Sequence, residues 1–323
     1  MLKCLIKKPN TNNEIYVNLI DEYYTKRKNI LFLREMGGFG DILMMRMMFE
    51  DIKKKYPHFY ISWAIPKAYH SIGSHPYVDE ILDSATLNKN NYIKIFDLKN
   101  ACIRHEWKYL TECVTHRSDI WAEHCGMKLE NHNMHLSVRE ENLIKIKNIM
   151  QKYKIFPKAP VILLCPFSAQ PAKDLLVSQI EFILNYLYGK KLNCILIHHQ
   201  INLNLIGKGY PFMCINSFDD AIATHYLANA TITVDTGHLH CSGGLNKPNI
   251  GIFSYVDGYI YCKYYPNTIV LQKHRKDGNW DCGPCWNYGA CTKTDVINNK
   301  PCVAELSSEE IKEKIDLLIH KYL

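Results

Sequence analysis

Apolar and polar positions alternate along the chain between short hydrophobic runs and amphipathic stretches. Asn29-Ile-Leu-Phe-Leu-Arg34 is apolar throughout its centre, as a buried strand requires, and it empties into a glycine-rich turn, Glu35-Met-Gly-Gly-Phe-Gly-Asp41. From Ile42 to Tyr56, apolar residues recur at 42, 45, 48, 49 and 52, with Lys53-Lys-Lys55 at the end and Pro57 behind them. That spacing predicts an amphipathic helix. Phe59 to Ile65 reads as the next strand, and two such units in succession imply a parallel sheet. Pro76 to Leu82 and Tyr92 to Asp97 look like further strand edges, and His116 to Cys125 like a helix ending at Gly126.

After a charged helical stretch, Glu140 to Tyr153, the segment Pro157-Lys-Ala-Pro160 resembles a linker, and the pattern restarts. Val161 to Cys165 and Cys194 to Ile197 read as strands, Ser178 to Tyr188 and Phe218 to Ala228 as helices. The run Ala230 to Val234 then ends in Asp235-Thr236-Gly237, followed by a short helical pattern from His238 to about Leu245, a break at Lys247-Pro248 and a strand from Ile250 to Phe253. Such a unit leaves backbone N–H groups free at the positive end of a helix, and in an open α/β sheet that end lies at the ligand crevice. A capped turn with no ligand has the same pattern. The two series predict an α/β fold of two facing Rossmann-like domains with a cleft between them, residues 1–156 and 157–323. Residues 1–28 contribute two extra strand-like runs, Leu2 to Lys7 and Glu14 to Leu19. Ser307-Ser-Glu-Glu310 opens a terminal helix with a capping pattern.

Composition narrows the class. With 323 residues, 47% hydrophobic and 22% charged, the chain can bury one large or two ordinary cores. No apolar run approaches the roughly 20 residues of a membrane span, and the amino-terminal apolar stretch is too short for a secretory signal, so a cytoplasmic location is expected. The net charge of +7 favours an acidic ligand or acceptor without establishing nucleic-acid binding. The sequence has no Asp-x-Asp, no Walker A pattern and no Gly-x-Gly-x-x-Gly. A metal-chelated diphosphate, phosphoryl transfer and dinucleotide redox chemistry are therefore poorly supported.

Thirteen cysteines, an odd number, argue for free thiols plus a metal site rather than a disulfide framework. Cys282-Gly-Pro-Cys285, Cys291 and Cys302 have the spacing C-x2-C-x5-C-x10-C. Four thiolates suit tetrahedral zinc or iron, which ligand type alone does not separate, and a closed site of this kind braces a loop rather than performing chemistry. His238 and His240, two residues apart, point to different faces of a helix. His238 reads as a helix-start residue near phosphate and His240 as packed in the fold.

The chain resembles glycosyltransferase family 9, the lipopolysaccharide heptosyltransferase group. The resemblance rests on Arg34 with Gly40-Asp41, Ile61-Ser-Trp-Ala-Ile-Pro66, Pro76 to Leu82 and His116-Arg-Ser-Asp-Ile-Trp-Ala122. Cys165-Pro-Phe-Ser168 with Lys173, and Val234-Asp-Thr-Gly-His-Leu-His240 with Lys247-Pro248, complete it in family order. The Cys-rich tail looks like the iron-binding autotransporter heptosyltransferase branch. The resemblance implies the two-domain GT-B fold and inverting sugar transfer from a nucleotide-diphosphate-sugar, ADP-heptose by default, without a donor-site metal. It implies Asp41 as the base that deprotonates the acceptor hydroxyl; capping of the following helix is the alternative role. Ser168, Lys173, Asp235, Thr236, Gly237 and His238 match the donor-binding positions, and Arg34 and Gly40 the acceptor side. The family's Lys-x-(aromatic)-Pro is here Lys173-Asp-Leu-Leu176, a departure from the pattern.

A glycolipid core or a protein Ser/Thr fits as acceptor. A hydroxymethylated DNA base, a non-catalytic binding module and a sugar-nucleotide epimerase are the competing readings.

Overall fold

The computed structural model describes residues 29–109, 112–199, 205, 207–273, 285 and 301–323, so the strand-like runs read within 1–28 lie outside the described residues. The described residues form two compact units, 29–36 with 51–99 and 37–50 with 100–323.

The first unit holds a four-stranded parallel sheet of β1 (Asn29–Leu33), β2 (Tyr60–Ile65), β3 (Glu80–Asp83) and β4 (Lys94–Asp97), in the order β3-β2-β1-β4. Strand order reverses between β1 and β4, and Arg34 follows β1 at that point. It is buried, and its Nη1 donates to the Leu98 carbonyl at 2.9 Å. Glu35 beside it pairs with Lys99 at 3.0 Å.

The second unit holds a six-stranded parallel sheet in the order β10-β9-β8-β5-β6-β7. Its strands are β5 (Val161–Cys165), β6 (Asn193–His198), β7 (Phe212–Cys214), β8 (Ala230–Val234), β9 (Asn249–Phe253) and β10 (Thr268–Gln272). Every residue of β5, β8 and β9 is buried, as expected when helices cover both faces of a parallel sheet. The period of two shows in the packing. Ile162 and Leu164 of β5, with Cys194 and Leu196 of β6, join one core cluster; Val161, Leu163 and Cys165, with Ile195 and Ile197, join the other. Ile180, Ile183, Leu184 and Leu187 of the helix Val177–Gly189 cover the first face at i, i+3, i+4, i+7 spacing, joined by Ile311, Ile315 and Leu318 of the terminal helix Ser308–Tyr322. The capping pattern read at Ser307 is present: Ser307 Oγ accepts from the Glu310 N–H at 3.2 Å, and Glu310 accepts from the Ser307 N–H at 2.8 Å.

One helix departs from the sequence reading. In place of a single helix from Ile42 to Tyr56 there are α1 (Phe39–Met45), a 3-10 turn at Arg46–Met48, and α2 (Phe49–Lys55). Gly38 is the N-cap, so Asp41 lies at the third position inside the helix instead of capping it. There its carboxylate reaches back to the Gly38 N–H at 3.4 Å. The tightening at Arg46 accompanies a long-range tie: Arg46 is buried and donates to the carbonyls of Met134 and His135 at 2.8 and 2.7 Å. Met44, Met45, Met47 and Met48 are core residues.

Candidate functional site

In the six-stranded sheet the order reverses between β5 and β8, which makes their carboxyl ends the topological switch point where open α/β sheets bind ligands. The segments that leave those ends carry Ser168 and Lys173 on one side and Asp235-Thr236-Gly237-His238 on the other. The structure brings these together. Lys173 Nζ donates to Asp235 Oδ2 at 2.8 Å and lies 5.3 Å from the centre of the Tyr255 ring. Burial works against the ammonium charge, but the Asp235 carboxylate outweighs it, and the Lys173 pKa is raised. The Ser168 hydroxyl is committed locally: it donates to the Gln170 carbonyl at 2.7 Å and accepts from the Gln170 N–H at 3.0 Å.

After Asp235 the helix α3 (Gly237–Gly244) opens on its N-cap Thr236, whose extended backbone ends the turn and whose side chain makes no cap. The half-buried start of that helix thus carries no hydroxyl plug over its N–H groups. A Cβ on Gly251 would come within 2.8 Å of the Phe253 ring of β9 and 3.0 Å of Leu239 of this helix.

The first glycine turn packs directly on this helix. A Cβ on Gly40 would come within 2.5 Å of the His240 ring, and one on Gly237 within 2.3 Å of the Phe39 ring. Glycine at these two positions is a condition of close approach, not of backbone conformation. The Phe39 ring in turn lies tilted against that of Phe218, with ring centres 4.5 Å apart. His240 is buried, bonds Tyr265 Oη through Nδ1 at 2.7 Å, and has its pKa lowered to about 4 by burial, against the opposing charges of Asp235 and Asp41. His238 and His240 do face different ways, as their spacing requires.

Asp41 has a partner that the sequence reading did not name as a site residue. Arg117, first residue of the helix Arg117–His124, donates to Asp41 Oδ1 at 2.8 Å and forks onto Glu106 at 2.7 and 2.9 Å. Glu106 is buried, and Arg117 also lies 5.3 Å from the Tyr261 ring centre. Burial opposes the guanidinium charge; Tyr261, Asp41 and Glu106 outweigh it, and the pKa of Arg117 is raised. The available signal was its place directly after His116, the N-cap whose Nδ1 accepts from the Ser118 N–H at 3.2 Å.

A second group missed by the sequence reading is a cluster of buried Cys165 and His225 with half-buried His238, whose donor atoms all lie within 4.8 Å of one another and could hold a metal ion. His225 Nε2 and His238 Nδ1 are 2.8 Å apart. Burial lowers the His238 pKa to about 4 and that of His225 well below the usual value, and it raises the Cys165 thiol. Of the four tail cysteines, Cys282 and Cys291 lie outside the described residues. Cys285 is half-buried and Cys302 is buried in the turn of helix Pro301–Ala304. A cavity of about 400 Å³ lies among Asn131, His132, Lys263 and Tyr264 and includes none of the site residues named from sequence. Among the described residues, no helix is long and apolar enough to cross a membrane.

No protein-family model matches the sequence, and no curated protein is detectably similar to it. Solved structures do match, and they define the class: the fold is GT-B-like, with two parallel sheets of four and six strands, as in the heptosyltransferases. A glycosyl transferase family 9 protein from Veillonella parvula superposes with a TM-score of 0.68 at 14% identity, covering 91% of this chain and 97% of that one. ADP-heptose lipopolysaccharide heptosyltransferase II of E. coli gives 0.66 at 14%, covering 91% and 99%. The iron-containing dodecameric glycosyltransferase TibC from enterotoxigenic E. coli gives 0.66 at 12%, covering 92% and 77%. At these identities the likeness is one of fold, and it is the fold of the family the sequence resembles.

Proposed function

We propose that the protein is an inverting glycosyltransferase that moves a sugar from a nucleotide-diphosphate donor to a hydroxyl acceptor. The observation that carries this reading is the packing of the Asp41 turn onto the helix that opens at Thr236, with Lys173 and Asp235 at its mouth. In the proposed reaction Asp41 takes the acceptor proton as its oxygen attacks the anomeric carbon, and the bond to the diphosphate breaks on the opposite face. Arg117 holds one carboxylate oxygen and the Gly38 N–H the other, which fixes the orientation of the group. The charge that develops on the departing diphosphate meets the Lys173 ammonium and the N–H groups at Gly237 and His238, donors already in place before the reaction. Asp235 holds Lys173 in position. Arg34 and Gly40 stand on the acceptor side of this reading.

The heptosyltransferase fold makes ADP-heptose the first donor to try; TibC has been seen with ADP-D-β-D-heptose bound. A glycolipid core or a protein Ser/Thr is the acceptor class favoured by the resemblance, and a cytoplasmic enzyme of acceptor-side and donor-side domains, 1–156 and 157–323, completes the proposal. A structural metal on Cys282, Cys285, Cys291 and Cys302 belongs to it as well; TibC is iron-containing. The test is a thermal-shift panel of ADP, GDP, UDP and their sugars. One nucleoside diphosphate should stabilise the protein by about 2.7 kcal/mol at a hundred times its Kd. A panel with no shift at millimolar concentration contradicts the proposal, and consumption of the sugar nucleotide without acceptor points to an epimerase.

A further inference from the structure

Cys165, His225 and His238 come from three separate elements. Cys165 ends β5, His225 sits within the helix Phe218–Leu227, and His238 lies in the first turn of the helix Gly237–Gly244. Cys165 and His225 are fully buried. We propose that these three side chains bind a zinc-class divalent cation, at a site separate from the tail cysteines.

The argument begins with convergence. One sulfur and two imidazole nitrogens, all within 4.8 Å of one another, are the donor set that selects zinc over the oxygen-seeking magnesium and calcium. The surroundings of His225 add an independent observation. Its Nδ1 is 2.8 Å from Ser242 Oγ, which is 2.8 Å from Thr231 Oγ1, which donates to Asn249 Oδ1 at 2.9 Å. This buried chain grips the ring by the nitrogen that faces away from the cluster, the arrangement by which outer partners orient a ligating histidine. The other nitrogen, Nε2, is left pointing at His238 Nδ1.

At 2.8 Å one of the two facing ring nitrogens must accept from the other, and imidazole ligates through an unprotonated nitrogen. Cysteine ligates as the thiolate, so a cation displaces the Cys165 proton and then neutralises the charge it creates. The balance is one cation bound and one proton released to solvent. The proton shared between the two rings moves to the other nitrogen of the ring that carried it. Three protein ligands leave one tetrahedral position open. The bound ion would tie β5 and the helix Phe218–Leu227 to the turn that follows Asp235.

The test is zinc content per chain by mass spectrometry after reconstitution with zinc chloride and desalting. It uses the full chain and the variants Cys165→Ala and His225→Gln, with circular dichroism as the check on folding. Each variant is expected to hold one zinc fewer than wild type, and the same difference should persist when Cys285→Ser is added to both proteins. Equal zinc in wild type and Cys165→Ala overturns the proposal, as does a difference that disappears in the Cys285→Ser background. A Cys285→Ser protein with the cluster intact that takes up no zinc overturns it without any change to the three ligands.

Discussion

The two glycine turns of the larger unit share one local grammar and end in opposite electrostatics. In both, a short glycine segment delivers the chain into a helix with an aspartate near its start. At Gly37–Asp41 the aspartate is inside the helix, reaching back to its N-cap and forward to Arg117. At Asp235–His238 the aspartate precedes the helix and turns away to Lys173, so the helix start stays uncapped. A shift of a few residues separates a carboxylate tied to an arginine from a helix start that no side chain caps. The turns also close on each other, each glycine making room for a ring of the opposite segment.

The largest effect that tests this contrast belongs to the first turn. Asp41→Asn keeps the shape and removes the base, so turnover should fall by roughly 10²- to 10⁴-fold while nucleotide diphosphate binding, measured by calorimetry, is retained. Equal loss of binding would mean that the two turns do not divide the labour as described.

The support of Asp41 comes next. Arg117→Met removes the cation that forks onto the buried Glu106 and bonds Asp41, and urea denaturation should show a loss of about 3 kcal/mol. Adding Glu106→Gln should recover much of it. A double variant no better than the single would show that Arg117 matters through something other than its fork.

The close approach is sharpened by Gly40→Ala, whose methyl group meets the His240 ring. A loss of about 1–3 kcal/mol is expected, because the ring is held by Tyr265 and has little room to move. Gly38→Ala, with nothing near its Cβ position, is the control.

The smallest effect is a pH dependence seated at His116, beside the first turn. Burial lowers its pKa to about 3 from an ordinary 6.5, so the unfolded chain binds a proton that the folded chain refuses. The stability it contributes is fully present above the unfolded value and is lost as pH falls from 6.5 toward 3, by about 1.4 kcal/mol per pH unit at most. His116→Asn retains a good cap and should flatten that slope in urea titrations at pH 7 and pH 5. An unchanged slope would place the acid sensitivity elsewhere.

Much of this architecture is legible in the sequence, and the reason is local. Val161–Cys165 and Ala230–Val234 match the strands residue for residue, because a wholly apolar run between turn residues has few alternatives. Ser307 with Glu310 likewise announces its helix through contacts three residues apart. The residues that were missed depend on partners far along the chain. Arg117 meets Asp41 across 76 positions, and Arg46 meets Met134 across 88. His225, inside Ala-Ile-Ala-Thr-His, reads as an interior helix position until Cys165 and His238 are seen beside it. The early start of α1 has the same origin. Gly38 and Gly40 look like turn residues locally, but Gly40 lies inside the helix and is glycine because the His240 ring stands where a Cβ would be.

The most direct test of the central claim is hydrogen–deuterium exchange with and without the nucleoside diphosphate that stabilises the protein. The account predicts protection concentrated in two stretches, 166–174 and 235–240, which leave the sheet at its switch point. Protection confined to the cavity beside Tyr264 and Lys263, with those two stretches unchanged, would contradict it.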